Sequence, residues 1–499
     1  MKLALSTAAV ILTAILLSAE QNDLVSLWPQ GKKEDAIALL QKEVAAHPGA
    51  VEPNVRLVDA LLHSERFDEA DDVIKAALAA NTQAPDLHRV HGDLLFREGH
   101  IIEADSEYKS AFRADKKNAR ALYGIARTFR VAGLRAKAVG LLRAAHELDP
   151  ADTVIGSAFD ALDNSVAKWE RLLQNPEVAA DPERKRHAET SLALAKLLNG
   201  GHEFELTSPY RHYQLPYRVL YDGKRPTGIG MTISINGAKS ELRVDTGAGG
   251  VTVSSGFAAK AGIQRVGSAK MTGVGNQGDV DIWIGYAEHM QIGDVEFKNV
   301  FVEVREKGSV DDSGGLLGTD IFDRFLVKLN FYEGRVDLDP LPGPAWDGFT
   351  PIDRYDGPEV KDFTQIFQVH HNLLIPTLVS DKQKSEQTNC LFLVDTGAGL
   401  NQISTTLAPS VAKLHNAEHM VVKGVSGKVK MLYQADQVYL QFASFRQKNL
   451  DLTSFDLSPI SRGAGLEVSG ILGLPVLSMF HSLTIDYRDA RINFEYKPL

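Results

Sequence analysis

The sequence is almost without cysteine, because Cys390 is the single thiol in 499 residues. One thiol cannot form a disulfide within the chain, so the fold must be held together by its apolar core. Cys390 directly precedes the apolar run 391–394, and its surroundings do not resemble those of a catalytic nucleophile. We therefore predict that Cys390 is a buried strand residue.

Blocks of one charge are also absent, although the formal net charge is −10. Nucleic-acid binding requires a clustered basic face, so we expect no nucleic-acid partner. The longest apolar run, residues 3–17, is shorter than the roughly 20 residues that a membrane span needs. Hydrophobic residues make up 44% and charged residues 24%, which is typical of a soluble globular protein. A chain of 499 residues is too long for one ordinary core, so we expect two to four domains.

Residues 1–19 have the features of a signal peptide. Lys2 supplies a positive charge, residues 3–17 supply an apolar segment, and Ser18 and Ala19 are small residues suited to cleavage. We expect an exported protein, periplasmic or secreted, with no stable membrane span after cleavage. Retention of this segment as a membrane anchor is the alternative.

The first part of the chain repeats with a period of 34 residues. Alanines recur at this period, small residues follow most of them by seven positions, and large side chains follow them by four. The positions are Ala36, Ala70, Ala104 and Ala138, then Ala77, Ala111 and Ala145, then Leu40, Ile74, Tyr108 and Leu142. This pattern resembles the tetratricopeptide repeat, a helix pair in which small residues permit close approach. The resemblance implies an α-solenoid over residues 24–150, with a concave face that would bind a protein partner.

From about residue 210, short β-branched stretches punctuated by glycine indicate an all-β region. One ordered set of segments occurs twice, before and after the proline-rich stretch 340–344. Each copy has Asp-Thr-Gly-Ala after an apolar strand, then a glycine-rich hairpin, an apolar-apolar-Gly segment and a closing strand pair. The segments are 245–248, 273–278, 315–318 and 327–338 in the first copy, and 395–398, 424–427, 470–473 and 483–494 in the second.

This order of motifs resembles the retropepsin family of aspartic peptidases, in which each half of the active enzyme contributes one aspartate. The resemblance implies a mainly-β, bilobed acid-protease fold with both halves in one chain, as in pepsin-like enzymes. Asp245 and Asp395 would be the catalytic pair of an aspartic endopeptidase, and Thr246 and Thr396 would bond across the two-fold axis. The remaining support would come from Gly247, Ala248, Gly397 and Ala398, and the flaps over the substrate from Gly273, Val274, Gly275, Gly424, Val425 and Ser426.

The chemistry explains why such residues occur as a pair. Two carboxyl groups in contact cannot both ionise cheaply, so they share one proton. The charged member then activates water, and the protonated member donates to the carbonyl of a polypeptide substrate. This chemistry requires neither a metal nor a cofactor, and we expect none.

The same residues allow other interpretations. A catalytically silent peptide-binding scaffold of the same fold is the main alternative, and pairing of each lobe with its twin in another chain is a third. Residues 273–278 also match the dinucleotide pattern Gly-x-Gly-x-x-Gly, but a strand-like segment follows where a helix is required. His370, His371, His415 and His419 form no recognisable metal motif, so we expect solvated or capping histidines.

The predicted organisation follows from these boundaries. It consists of a signal peptide at 1–19, tetratricopeptide-like repeats at 24–150, a helical cap or linker at 151–205, and peptidase lobes at 206–343 and 344–499.

Overall fold

A computed structural model describes residues 32–306, 314–381, 387–417 and 420–496. The predicted signal peptide at 1–19 and His419 lie outside the described residues. The chain divides into two compact units, residues 1–128 with 141–155 and residues 129–140 with 156–499. The predicted domain boundaries stay predictions.

The first part of the described chain is helical. Its helices are α1 (Lys33–Ala46), α2 (Val51–His63), α3 (Phe67–Ala80), α4 (Pro85–Arg97), α5 (Ile101–Ala114), α6 (Ala119–Val131), α7 (Arg135–Leu148) and α8 (Thr153–Asp160). The alanines of the 34-residue period lie on every second helix, and Ala70 and Ala104 are fully buried there. A Cβ atom at Gly92 would lie 2.7 Å from the ring of Tyr108, so only glycine lets α4 approach α5 this closely.

Three further helices belong to the second unit: α9 (Val166–Leu173), α10 (Pro176–Ala180) and α11 (Pro182–Leu198). The Asp181 side chain caps the N-terminus of α11 by accepting from two backbone N–H groups. Helix α11 packs against strand β7 (Gln264–Met271), where the Thr190 hydroxyl donates to the Ser268 carbonyl at 3.2 Å. None of the helices in the described ranges is both long and apolar enough to cross a bilayer.

The rest of the second unit is mainly β. In the first copy of the duplicated region the strands are β1 (Glu205–Leu206), β2 (Tyr213–Pro216), β3 (Arg218–Asp222), β4 (Arg225–Ile235), β5 (Ala238–Asp245), β6 (Val251–Ser254), β7, β8 (Val280–Ile292), β9 (Val295–Arg305), β10 (Gly315–Gly318), β11 (Phe325–Asn330) and β12 (Arg335–Pro340). A short helix, α12 (Ser255–Lys260), and a 3-10 turn, Thr319–Phe322, interrupt them.

The second copy repeats this arrangement. Its strands are β13 (Thr364–Gln365), β14 (Phe367–Val369), β15 (Asn372–Ser380), β16 (Thr388–Asp395), β17 (Gln402–Ser404), β18 (Leu414–Asn416), β19 (Lys423–Gly424), β20 (Gly427–Lys428), β21 (Tyr433–Phe442), β22 (Phe445–Phe455), β23 (Gly470–Gly473), β24 (Ser482–Asp486) and β25 (Arg491–Glu495). Its short helices are the 3-10 turn Pro358–Val360, α13 (Ala408–Val411), α14 (Ser458–Ala464) and α15 (Leu474–Leu477).

Each copy forms its own large sheet, and a third sheet joins the two copies. The first sheet has nine strands and the second has eight, while the joining sheet has the order β13-β25-β24-β11-β12-β2. At its centre β11 of the first copy pairs antiparallel with β24 of the second, with Val327 opposite Ile485. Both residues are fully buried in a core that is continuous between the copies. The predicted helical repeat region followed by a mainly-β bilobed fold is therefore confirmed.

Candidate active site

The two Asp-Thr-Gly-Ala loops occupy the same place in each lobe. Strand β5 ends at Asp245, and β10 runs parallel to it with Gly318 opposite that aspartate. In the second lobe β16 ends at Asp395 and pairs in parallel with β23, with Gly473 opposite. Each aspartate therefore leaves the end of a buried strand at the point where the neighbouring strand also ends.

Glycine is required under both loops because the backbones approach so closely. A Cβ atom at Gly318 would lie 2.6 Å from the Ala248 carbonyl oxygen, and one at Gly473 would lie 2.7 Å from that of Ala398. The apolar-apolar-Gly segments therefore pack directly against the backbone of the aspartate loops and fix the position of these loops.

The threonines of the two loops bond across the lobe interface. The Thr246 hydroxyl accepts from the backbone N–H of Thr396 at 3.0 Å, and the Thr396 hydroxyl accepts from that of Thr246 at 3.1 Å. Each hydroxyl also donates to the opposite strand, to the carbonyl of Val394 at 2.7 Å and of Val244 at 3.1 Å. Both threonines are buried, so these four bonds join the loops in a water-free environment.

The two aspartates face one another at this junction. A Cβ atom at Gly247 would lie 2.7 Å from the carboxyl carbon of Asp395, and one at Gly397 would overlap the carboxylate of Asp245. The backbone N–H groups of Gly247 and Gly397 each donate to the aspartate of their own loop at 2.8 Å. The structure thus brings Asp245 and Asp395 together, and their catalytic role stays a prediction.

Burial and mutual contact raise the pKa of both carboxyl groups. Desolvation raises the pKa of Asp395 well above its usual range, and the charge of Asp245 and its hydrogen bond add to this effect. Desolvation also raises the pKa of Asp245, whereas its bonds to Asp395 and to Gly247 and the charge of Arg243 act in the opposite direction. The two carboxyl groups therefore share one proton and titrate as a pair.

Arg243, which no sequence motif indicated, makes the two halves unequal. Its guanidinium donates to the Thr227 carbonyl at 2.9 Å and to the Gly397 carbonyl of the opposite loop at 3.3 Å. The corresponding position in the second lobe is the apolar Leu393, since both residues stand two before their aspartate. The positive charge of Arg243 lowers the pKa of Asp245, and the second lobe has no arginine at the matching position.

The predicted flap residues of the two lobes meet each other. The backbone N–H of Ser426 donates to the Val274 carbonyl at 2.9 Å, and the Ser426 hydroxyl accepts from the N–H of Gly273 at 3.2 Å. Gly275 has φ of +133°, and a Cβ atom there would overlap the Ser426 carbonyl. Gly424 and Val425 belong to the same contact, opposite Val274 and Gly273 respectively.

The segment after the first flap is strand β8, so the strand expected in place of a nucleotide-binding helix is present.

The loops and flaps enclose a cleft with a cavity volume of about 1820 Å³. Both aspartates line it, as do Gly273, Val274, Gly424 and Val425. Three lining groups not identified from the sequence are Glu303, Asp320 and Gln402. Both carboxylate oxygens of Asp320 accept from the Gly250 N–H, at 2.9 and 3.1 Å, and burial raises the pKa of this group to about 6.

The histidine expectation needs a correction at His371. This residue is half-buried and lines the cleft, where its Nδ1 would lie 2.6 Å from a Cβ atom on Gly249. Burial lowers the pKa of His371 to about 4. His415 lies elsewhere and bonds to Asp436 through Nε2 at 2.8 Å. Within the ranges that the structure describes, no group of three or more His, Cys, Asp or Glu side chains is arranged to hold a metal ion.

Three solved structures are similar to about a third of this chain. A thermophilic tetratricopeptide repeat protein of Thermus thermophilus is 22% identical, covers 35% of this chain and 98% of its own, and has a TM-score of 0.30. MamA is 15% identical over 35% of this chain and 83% of its own, with a TM-score of 0.22. PilF of Pseudomonas aeruginosa is 15% identical over 37% of this chain and 77% of its own, with a TM-score of 0.25. A search of curated proteins finds no match.

Family models match both parts of the chain. Residues 27–94 and 89–153 match two tetratricopeptide repeat models, and residues 231–324 match the model described as "gag-polyprotein putative aspartyl protease". The latter segment contains the first Asp-Thr-Gly-Ala loop, the first flap and Gly318. The chain thus carries tetratricopeptide repeats followed by a retropepsin-like aspartyl protease region.

Proposed function

We propose that this protein is an aspartic endopeptidase in which Asp245 and Asp395 of one chain activate a water molecule between them. The observation that carries the proposal is the reciprocal bonding of Thr246 and Thr396, which holds the two aspartate loops face to face. Two carboxyl groups held in this way share a proton, which provides a base and an acid at one site.

The reaction uses only water and the dyad, which is the pair of carboxyl groups of Asp245 and Asp395. Asp245, as carboxylate, takes a proton from the water while the water oxygen attacks the scissile carbonyl carbon. Asp395, as carboxylic acid, gives its proton to the carbonyl oxygen, which yields a tetrahedral diol. The C–N bond then breaks: Asp245 returns its proton to the leaving nitrogen, and a diol hydroxyl returns a proton to Asp395 as the new carboxyl product forms.

Arg243 supports this assignment of roles. Its positive charge favours ionisation of Asp245, whereas Leu393 gives Asp395 no such help. The backbone N–H of Ala398 donates to Asp395 at 2.9 Å, which by itself favours the ionised form, but burial and the charge of Asp245 raise the pKa of Asp395 by more. Differences in surroundings of this kind separate the acid from the base in a carboxyl pair.

The substrate would be a polypeptide in extended form. The cleft lies between two sheets and beneath the flap hairpins, an arrangement suited to backbone hydrogen bonds with an extended chain. The flap contacts between Ser426 and Val274 would have to open for a polypeptide to enter. The tetratricopeptide repeats would recruit a substrate or partner protein through their concave face.

We propose in addition that the protein is exported, with residues 1–19 acting as a signal peptide. The charged start and short apolar segment of the sequence support this proposal. N-terminal sequencing of the protein isolated from its host tests it. A start near residue 20 agrees with cleavage, and a start at Met1 contradicts it.

The proposed activity is tested by incubating the full chain with a diverse peptide pool at several pH values, beside the Asp245→Asn and Asp395→Asn variants. We expect cleavage by the parent and loss of cleavage in both variants. Asp451→Asn, an exposed aspartate on β22, is the matched control and should cleave as the parent does. Folded parent chain that cleaves no peptide at any pH would contradict catalysis and favour a silent peptide-binding scaffold.

A further inference from the structure

One buried side chain of the cleft has an unsatisfied polar atom. Gln402 begins strand β17, lines the cleft and is only 5% exposed. Its carbonyl oxygen Oε1 has no hydrogen-bond partner among the described residues. An unpaired buried polar group is unfavourable, and a ligand that supplies the missing partner would offset this cost.

The first lobe is satisfied at the corresponding position. Thr252 stands seven residues after Asp245, as Gln402 stands seven residues after Asp395. The Thr252 hydroxyl donates to the carboxylate of Glu303 at 3.2 Å. The two halves of the cleft therefore differ: the first pairs a hydroxyl with an acid, and the second leaves the carbonyl oxygen of a neutral amide without a partner among the described residues.

The cross-strand neighbours of Gln402 are uncharged, and one of them is Thr453, which lies opposite it in the parallel pair of β17 and β22. Ile471 is its partner in the antiparallel pair of β17 and β23, so the two side chains lie on the same face of the sheet. Leu400, Pro459 and Ile460 of the second lobe also line the cleft. A charged group placed among these side chains would lose its hydration without gaining an ionic partner. This part of the cleft therefore suits a neutral side chain with an apolar stem and a hydrogen-bonding end.

We infer that Gln402 determines specificity in the second half of the cleft, where its amide hydrogen-bonds the amide or hydroxyl end of a neutral polar substrate side chain. This inference rests on the proposed peptide-binding cleft but not on catalysis. A site built around a buried hydrogen bond discriminates strongly against a side chain that cannot form it, because the amide then stays unpaired. An apolar residue at the same substrate position would therefore bind less well.

The test is selection of a random peptide pool by the full chain carrying Asp395→Asn, followed by sequencing of the retained peptides. Asparagine mimics the protonated state of that carboxyl group and prevents cleavage during the selection. We expect Asn, Gln, Ser or Thr to be enriched at one peptide position by about tenfold over Leu and Met. Adding Gln402→Met, which keeps the length of the side chain and removes its amide, should abolish this preference or reverse it.

Gln447→Met in the same background is the matched control. Gln447 also has an unpartnered amide oxygen, but it lies on β22 and does not line the cleft. Its replacement should leave the enriched residues unchanged. Thermal melting of each variant checks folding, and removal of an unpaired amide should not lower the melting temperature.

The outcomes separate the inference from the proposed function. Unchanged enrichment in Gln402→Met, an equal change in Gln447→Met, or no retained peptide would overturn the role of Gln402. Retention that depends on Gln402, together with no cleavage by the parent chain, would reject the proposed catalysis and uphold the inference.

Discussion

The side chains of Thr246 and Thr396 each accept a hydrogen bond from the backbone N–H of the other, at 3.0 and 3.1 Å. Each hydroxyl donates in turn to a strand carbonyl of the opposite lobe. This arrangement depends on both halves being present, because neither hydroxyl reaches these partners within its own lobe. The position of Asp245 relative to Asp395 therefore depends on the interface between the lobes as well as on the two aspartate loops.

Replacement of Thr396 by valine should destabilise the β region by about 2–4 kcal/mol, because the Thr246 N–H and the Val244 carbonyl lose a buried partner. Differential scanning calorimetry of the full chain measures the effect. Thr388→Val, at an exposed position of β16, is the control and should change little. The double variant with Thr246→Val should cost less than the sum of the single changes, since the two hydroxyls share one network. A cost equal to that of the control would contradict this view of the interface.

Replacement of Arg243 by leucine should shift the acidic limb of the pH–rate profile to higher pH. The positive charge lowers the pKa of Asp245, so its removal raises that pKa, and a higher pH is then needed to form the carboxylate base. We expect a shift of about one pH unit in the profile of kcat/KM. Arg218→Leu is the control, because Arg218 lines the same cleft but forms an ion pair with Glu241. If the acidic limb of the pH–rate profile stays in place in Arg243→Leu, or moves equally in Arg218→Leu, the charge of Arg243 does not set the pKa of Asp245.

Replacement of Gly275 by alanine should prevent the flaps from meeting. The added Cβ atom would overlap the Ser426 carbonyl, and φ of +133° is itself unfavourable for alanine. We expect kcat/KM to fall at least about tenfold, since an open cleft admits water and orients the substrate poorly. Gly278→Ala is the control, because Gly278 also has a positive φ, of +74°, but its Cβ atom would meet nothing within 4 Å. Equal losses in the two variants would point to backbone strain rather than flap contact.

Cys390 should be unreactive toward iodoacetamide in the folded protein at pH 8. Its side chain is buried on β16, and burial raises its pKa to about 12, so almost no thiolate is present. Mass spectrometry should find complete labelling only after denaturation in urea. Rapid labelling of the native chain would show that β16, and with it the loop that begins at Asp395, is not packed as described.

Patterns with a local cause were predictable from the sequence. The 34-residue period predicted which alanines are buried, because a repeated helix pair presents the same face each time. The repeated Asp-Thr-Gly-Ala loops and glycine segments indicated equivalent places in two lobes, which the pairing of Asp245 with Gly318 and of Asp395 with Gly473 reproduces.

Contacts between distant segments were not predictable. Arg243 reaches the Gly397 carbonyl 154 residues away, and no local pattern marks that contact. The same applies to the pairing of β11 with β24, to the packing of Thr190 against β7, and to His371 in the cleft. The contact of Arg243 with Gly397 and the pairing of β11 with β24 both depend on how the two copies join, which the duplicated motifs leave open. A mismatch between aligned positions, such as arginine against Leu393, is the signal that would have drawn attention to Arg243.

The most direct test of a shared dyad is the rate of peptide hydrolysis by Asp245→Asn, by Asp395→Asn and by the double variant, each confirmed to be folded. Residues that act as one unit are strongly non-additive. We expect each single variant to lose as much of kcat/KM as the double variant does. Retention of the parent rate by either single variant would contradict it, as would a loss in the double variant equal to the product of the single losses.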